Sequence, residues 1–264
     1  MADWPMFGGG RRIYSATVAK QSGAVNTKGL WAEVFSSVPE SCMISGSLNA
    51  SADYNNLVDL AIGASGSEQV IVNNLIHCGF SGHKNSPFQL PLIIPAGTRV
   101  AVRQQSTASS TWLGCSLYLQ AVTFAREMPV CGTCDTIGAV TADSGGTSID
   151  PGGTALTKGS WVELSAAAAR DYNAIIIGAG NQSNYERVYA YWNVDIGIGD
   201  SPSDCIIIPD YVIRSHSTGD LINPDLSPVF YISIPKGKKI SVRSSCNITD
   251  AADRLFDVIL YLFA

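Results

Sequence analysis

Charge is scarce in this chain. Asp, Glu, Lys and Arg together make up 15% of its 264 residues, and the net charge is −5, where soluble domains carry about a quarter charged residues. Phosphate binding needs concentrated Lys and Arg, so a nucleic-acid surface is excluded. Histidine is nearly absent: His77, His83 and His216 are all there is. None stands beside a Ser or Cys elbow, which argues against a histidine acid–base site. Gly-x-Ser-x-Gly, P-loop and His-Glu-x-x-His motifs are missing. Gly178-Ala179-Gly180 lacks the third glycine of a dinucleotide loop and lines up with Gly46 of an internal repeat. No apolar run reaches the ~20 residues that span a bilayer. The opening Met-Ala-Asp-Trp has neither the basic nor the apolar region of a signal peptide, so synthesis in the cytoplasm is expected. Long amphipathic helices are lacking too; residues 166–170 offer one helical turn at most. The seven cysteines are odd in number in a chain that is not small, a poor fit to a secreted disulfide framework.

What is present is a duplication. Thr27-Lys28-Gly29-Leu30-Trp31-Ala32-Glu33 recurs as Thr157-Lys158-Gly159-Ser160-Trp161-Val162-Glu163. Val58-Asp59-Leu60-Ala61-Ile62-Gly63 recurs as Val194-Asp195-Ile196-Gly197-Ile198-Gly199, and Val70-Ile71-Val72 as Ile206-Ile207-Ile208. The stretch from Ile94-Pro95-Ala96-Gly97 to Arg103 matches that from Ile234-Pro235-Lys236-Gly237 to Arg243, and Leu117-Tyr118-Leu119 matches Leu260-Tyr261-Leu262. The spacing between partners only grows along the chain, as small loop insertions in the second copy would produce. The period is that of a whole small domain and too long for a solenoid or propeller blade.

Within each copy the apolar period is two. Cys42, Ile44, Gly46 and Leu48 alternate with Ser45, Ser47 and Asn49. Phe88 to Ile94 alternates in the same way, followed by a Pro95-Ala96-Gly97 turn and the strand Val100–Arg103. Leu113, Cys115, Leu117 and Leu119 share one face of a further strand. Many short strands punctuated by Asn, Ser, Gly and Pro indicate a β-sandwich or jelly roll. The expected order is a flexible N-terminal arm (1–27), a first β-sandwich (28–124), a Gly/Ser/Thr-rich linker (125–157) and a second β-sandwich (158–264). The fold class is all-β, two tandem jelly-roll-like domains related by internal duplication. The repeat begins only after the arm, which has no equivalent in the second copy. Part of the linker is expected to join the first strand of the second unit.

Five groups of residues stand out. Trp4, Phe7, Arg11 and Arg12, around a run of glycines, would suit an arm that orders on a partner, or simply a disordered tail. Tyr185, Tyr189, Tyr191 and Trp192 form an aromatic cluster found only in the second copy. They read as a candidate ligand surface, or as a strand packed on the core. Cys131-Gly-Thr-Cys134 is half of a zinc site; His77, Cys78 and His83 are the other half only if the fold brings them there. The plainer reading is a thiol pair, free or closed as a local disulfide; no metal and no cofactor is assigned. Asp59 and Asp195 are expected to accept hydrogen bonds from a turn of the fold. Arg103 and Arg243 are expected to form ion pairs, with Glu33 and Glu163 as partners.

The repeated pattern of Trp-x-Glu, Asp-Ile-Gly-Ile-Gly with an apolar triplet, Ile-Pro-x-Gly-x-Arg-Val-x-Val-Arg and a closing Leu-Tyr-Leu resembles modules in virion proteins of tailed bacteriophages. Lys236 to Lys239 depart from the form in the first copy, which weakens any shared ligand surface though not the fold. The resemblance covers both units and excludes the arm and linker. It implies a non-enzymatic sandwich protein on the particle exterior, at the head, neck, collar or a fibre. Its implied partners are other virion proteins and copies of itself, without nucleic acid or membrane; the alternative is a fibre module for a host-surface receptor or glycan.

Overall fold

The computed structural model describes residues 13–50, 55–78, 85–122, 131–181, 190–199, 205–215, 222, 225–248 and 254–264. Among these, every regular element longer than a turn is a strand, and residues 166–170 form bends rather than a helical turn. The first unit has eight strands: β1 (Ile13–Gln21), β2 (Ala32–Phe35), β3 (Cys42–Ala50), β4 (Asn55–Ile62), β5 (Gln69–Cys78), β6 (Asn85–Ile94), β7 (Val100–Ser106) and β8 (Trp112–Ala121). They pair antiparallel in two sheets, β1-β8-β3-β6 and β2-β7-β4-β5. Strands β1/β8, β2/β7, β3/β6 and β4/β5 pair, and successive strands cross between the sheets except at the β4–β5 hairpin, which is the jelly-roll winding. Alternation along each strand sends Leu48, Leu60, Leu90, Val102 and Leu117 into the space between the sheets, where all are buried.

The second unit repeats this with β9 (Cys134–Ile137), β10 (Ala139–Val140), β11 (Gly145–Ile149), β12 (Val162–Ser165), β13 (Ala174–Asn181), β14 (Ala190–Ile198), β15 (Cys205–Ser215), β16 (Ile240–Cys246) and β17 (Phe256–Phe263). Its sheets are β10-β11-β17-β13, with β9 also on β17, and β12-β16-β14-β15. The place of β6 is taken by isolated bridges, Tyr172 to Ile234, Ile175 to Phe230 and Gly178 to Leu226. The chain is therefore all-β, with two jelly-roll sandwiches in tandem.

Two expectations change. Residues 13–21 lie inside the stretch read as an arm, yet they are a nine-residue strand paired with β8 from Trp112 to Gln120. That strand also has a counterpart in the second unit, inside the stretch read as linker. Ala16 faces Leu117 as Ile137 faces Leu260, and Val18 faces Cys115 as Thr147 faces Val258. The equivalent of β1 is thus β9 and β11 together, with the β10 hairpin looped out between them. Part of the linker joins the first strand of the second unit, as expected, and the interruption, rich in Gly, Ser and Thr, splits that strand in two.

β17 is buried along its entire length, whereas its counterpart β8 alternates between buried and open positions. Val258, Leu260 and Leu262 fill the second core; Ile259, Tyr261 and Phe263 point the other way and join the first unit's apolar cluster through β5. The two sandwiches are held together by this contact.

Candidate functional site

The repeated landmarks converge on one cluster per unit. Asp59 sits where the β4–β5 pairing shifts register, and Asp195 at the same shift between β14 and β15. A bulge of this kind aims a backbone N–H at the carboxylate: Asn74 N donates to Asp59 Oδ1 at 2.9 Å, and Asp210 N to Asp195 Oδ1 at 2.9 Å. Lys28 Nζ lies 2.8 Å from Asp59 Oδ1, and Arg103 Nε 2.8 Å from Oδ2. Lys158 and Arg243 hold Asp195 at 2.7 and 2.9 Å. The Arg103 guanidinium lies over the Trp31 ring at 4.4 Å, and that of Arg243 over Trp161 at 4.5 Å. The glycine of Lys-Gly-x-Trp is needed because a Cβ on Gly29 would fall 2.8 Å from the Gln21 carbonyl oxygen. The expected turn hydrogen bond to each aspartate is present. The expected arginine partners are not: Glu33 instead pairs with Arg99 at 2.8 Å. These clusters hold the fold together, each built on a central carboxylate paired with a lysine and an arginine.

The candidate ligand residues separate. Trp4, Phe7, Arg11, Arg12, Tyr185 and Tyr189 lie outside the described residues. Tyr191 and Trp192 are neighbours on β14 and so point to opposite faces. Tyr191 is partly open, while Trp192 is buried, rests on Phe256 at 5.7 Å and donates Nε1 to the Arg254 carbonyl oxygen at 3.0 Å. Trp192 is a core residue and not a ligand platform.

Cys131 and Cys134 are free thiols, not a disulfide, and all seven cysteines are unpaired. His77 and Cys78 do not approach them as metal ligands. His77 Nδ1 lies 2.8 Å from Asp225 Oδ2, and Cys78 donates to Asn55 Oδ1. Among the described residues no group of His, Cys, Asp and Glu is arranged to hold a metal ion; His83 lies outside them. Burial pushes the Cys115 thiol up to about 12, and burial with the nearby Glu40 charge raises Cys42 to about 11. Only Cys205 is exposed. Iodoacetamide on the native protein at neutral pH is therefore expected to label Cys205 first, with Cys42 and Cys115 reacting only after denaturation. Peptide mass mapping reads the order, and early labelling of Cys42 or Cys115 would contradict this core.

The contact between the units is built from Ile76 and Asn74 of the first and Tyr261, Gly178 and Gly180 of the second. Ile76 N donates to the Tyr261 hydroxyl at 2.8 Å, and that hydroxyl donates to the Asn74 carbonyl oxygen at 2.7 Å. Gly178 and Gly180 face outward from β13, and a Cβ at either would collide with the Ile76 side chain. The register with β17 pairs Gly178 with Ile259, so its equivalent in the first unit is Ser47 and not the inward-facing Gly46. Beside this seam, Asp225 of the second unit accepts from Ser86 Oγ of the first as well as meeting His77. A cleft also opens here, lined by Asn26, Lys28, Arg103, Gln105, Cys134 and Thr141. Its Lys28–Asp59–Arg103 cluster carries one surplus positive charge. In the second unit Lys158 has an additional carboxylate, Asp210 at 2.8 Å, at the position of Asn74.

The sheet β1-β8-β3-β6 presents its outer face to solvent. Tyr118 is 43% exposed, Trp112 52% and Ile13 42%. Around them stand Ser15, Thr17, Ser45, Ser47, Asn49, Ser116, Pro87 and Gln89, so the outward positions of these strands carry hydroxyls, amides and rings but no charge. Thr17 and Ser116 hydroxyls bond each other across the face at 2.9 Å.

No protein-family model matches this sequence, and no curated protein matches it. Among solved structures the chain is similar to one of Sulfolobus Turreted Icosahedral Virus, at 9% identity and a TM-score of 0.37, over 96% of this chain and 90% of that one. It is similar to PNGase F, a glycosylasparaginase from Flavobacterium meningosepticum, at 10% identity and a TM-score of 0.36, over 94% and 96%. A tandem CBM22 pair from Paenibacillus barcinonensis Xyn10C matches at 10% identity and a TM-score of 0.27, over 97% and 92%. The neighbours thus include a virus structure, an enzyme and a tandem CBM22 domain pair, and likeness at this level carries no argument about function. Among the described residues no helix is long and apolar enough to cross a membrane.

Proposed function

We propose that this protein is a non-enzymatic structural component of a bacteriophage particle. It assembles through the faces of its two sandwiches and through its N-terminal residues onto capsid, neck, collar or tail proteins. The observation that carries this reading is the open face of β1-β8-β3-β6. A solvent-facing sheet ordinarily carries charge; this one bears Trp112, Tyr118 and small uncharged polar groups. Depletion of charge with enrichment of aromatics is the composition of an interface core. The repeated motifs and their resemblance to phage virion modules give the particle as the setting.

The docking part is tested by deletion. The cut must stop before Ile13, because β1 closes the sheet on β8. A chain lacking residues 1–12 is expected to keep its thermal midpoint and to fail to enter particles. Its normal incorporation would remove the arm from the assembly.

A second reading, a receptor- or glycan-binding module, is favoured by the same two exposed rings, since aromatic platforms among hydroxyls suit sugars. Glycan-array binding that disappears in Trp112→Ala would support it. An array without signal would dismiss it.

A further inference from the structure

Within the chain, the first unit already docks on the second. β5 is the edge strand of its sheet and crosses the outer face of β17 and β13. Ile76 is the plug, fully buried against Gly178 and Gly180, and Tyr261 is the clamp that takes and gives a hydrogen bond on the β5 backbone. Duplication means that each half of this contact exists a second time. The second seat is the outer face of β1-β8-β3-β6, with Tyr118 in the place of Tyr261. The second plug is the edge strand β15, with Val212 in the place of Ile76. Among the described residues neither is covered: Tyr118 is 43% exposed and Val212 52%.

We propose that β15 of one molecule docks on the β1-β8-β3-β6 face of a second copy of this chain, repeating between molecules the contact that joins the two units within one.

The differences between the copies compensate at one of the two seat positions. The Ile76 Cδ1 atom is what most closely opposes a side chain at Gly180; valine has no Cδ1, and the residue at that place is Asn49. At the place of Gly178 stands Ser47, and the atom that opposes a side chain there is Ile76 Cγ2 at 2.8 Å, a methyl that Val212 keeps, so the docked strand rides farther out over Ser47. Val212 faces Asn193 on β14 as Ile76 faces Leu57 on β4. Its N–H therefore points off the free edge of β15, toward where Tyr118 of the other copy would stand. Two clasps are missing. Ile213 stands in the place of His77, so the bond to Asp225 has no counterpart. In the chain, the looped-out hairpin reaches the first unit through Ser144 Oγ on Asn26 Oδ1 and through Gln105 Nε2 on the Thr141 carbonyl oxygen. β1 runs unbroken where that hairpin would be. The contact between copies is accordingly weaker than the internal one and reversible with concentration. It is head-to-tail, so it closes into a ring or extends as a chain. This deepens the structural reading above and rests on it only for the purpose of self-association; the surface itself is taken from the internal contact.

The test is sedimentation velocity of the full chain over a concentration series. The wild type is expected to gain mass with concentration. Val212→Glu and Ser47→Glu are each expected to raise the half-association concentration at least about tenfold, because each places an unpaired carboxylate in the contact. Thermal midpoints of both stay at the wild-type value, since the substitutions are made on solvent-facing positions. Ile206→Glu on the same strand is expected to associate normally, because its counterpart Val70 remains 40% exposed beside the internal contact. Mixing Val212→Glu with Ser47→Glu restores association but stops at a dimer, since the first keeps an intact seat and the second an intact plug. A wild type that stays monomeric throughout overturns the proposal, as does a mixture that does not dimerise. Association that survives both substitutions also overturns it, while leaving self-assembly through another face and the structural reading in place.

Discussion

Asp195→Ala is expected to lower stability at neutral pH by about 3 kcal/mol, the low end for breaking a buried ion pair because Lys158 and Arg243 keep some contact with water. For a chain of 264 residues unfolding as one unit that is a fall of roughly 6–12 °C in the thermal midpoint. The Asp195 side chain is 3% exposed. Removing it takes the carboxylate from Arg243, leaves Lys158 with Asp210 alone, and leaves the Asp210 N–H without its acceptor. Burial alone would raise this carboxyl; the hydrogen bonds from the Asp210 amide, Lys158 and Arg243 outweigh it and hold the group below the ordinary carboxylate value. A folded-state value below the unfolded one stabilises above the unfolded pKa, about 3.9. That stabilisation is lost as the pH falls through the folded value. The gap between wild type and variant is therefore expected to be full at pH 7 and to shrink below about pH 4. Thermal or urea melts at pH 7 and pH 3 measure it, and a gap of equal size at both would refute the role given to the charge.

The second large effect sets two equivalent tyrosines against each other. Tyr261→Ala is expected to cost about 3–5 kcal/mol, as for a fully buried aromatic, with Ile76 N and the Asn74 carbonyl left without their partner as part of that cost. Tyr118→Ala, at the same position of the other unit, is expected to stay within about 0.5 kcal/mol, as solvent-facing substitutions do. Denaturant unfolding reads both values. Hydrogen exchange reads the cause: the Ile76 amide loses protection in the first variant and not in the second. Similar costs at the two sites would mean that the seam between the units does not carry this stability.

Much of the fold was legible because it was written twice. Period-two alternation and paired turn signals identified two sandwiches, and the repeated Lys, Trp, Asp and Arg all proved to belong to one cluster in each unit. Glu33 is not the partner of Arg103: Asp59 stands directly opposite Arg103 on β4 and β7, and a pairing of strands more than forty residues apart leaves no mark in local sequence. Trp192 was grouped with Tyr191 because adjacency along the chain looks like adjacency in space; on a strand it means opposite faces. Part of the linker does join the first strand of the second unit, as β9 and β11; its equivalence to β1 was not legible because a hairpin of small residues splits it, and the two halves meet only by pairing with β17.

By itself the sequence determined the local repertoire: which residues alternate, where turns fall, and that every strand pattern has a twin. It could not determine which twin is covered. Leu117-Tyr118-Leu119 and Leu260-Tyr261-Leu262 are the same words on the same strand, yet one tyrosine is open to water and the other is fully buried. That difference is set by a contact with β5, far away in the chain. Alternation encodes which face of a strand a residue takes; what comes to lie against that face is decided only when the two sandwiches pack.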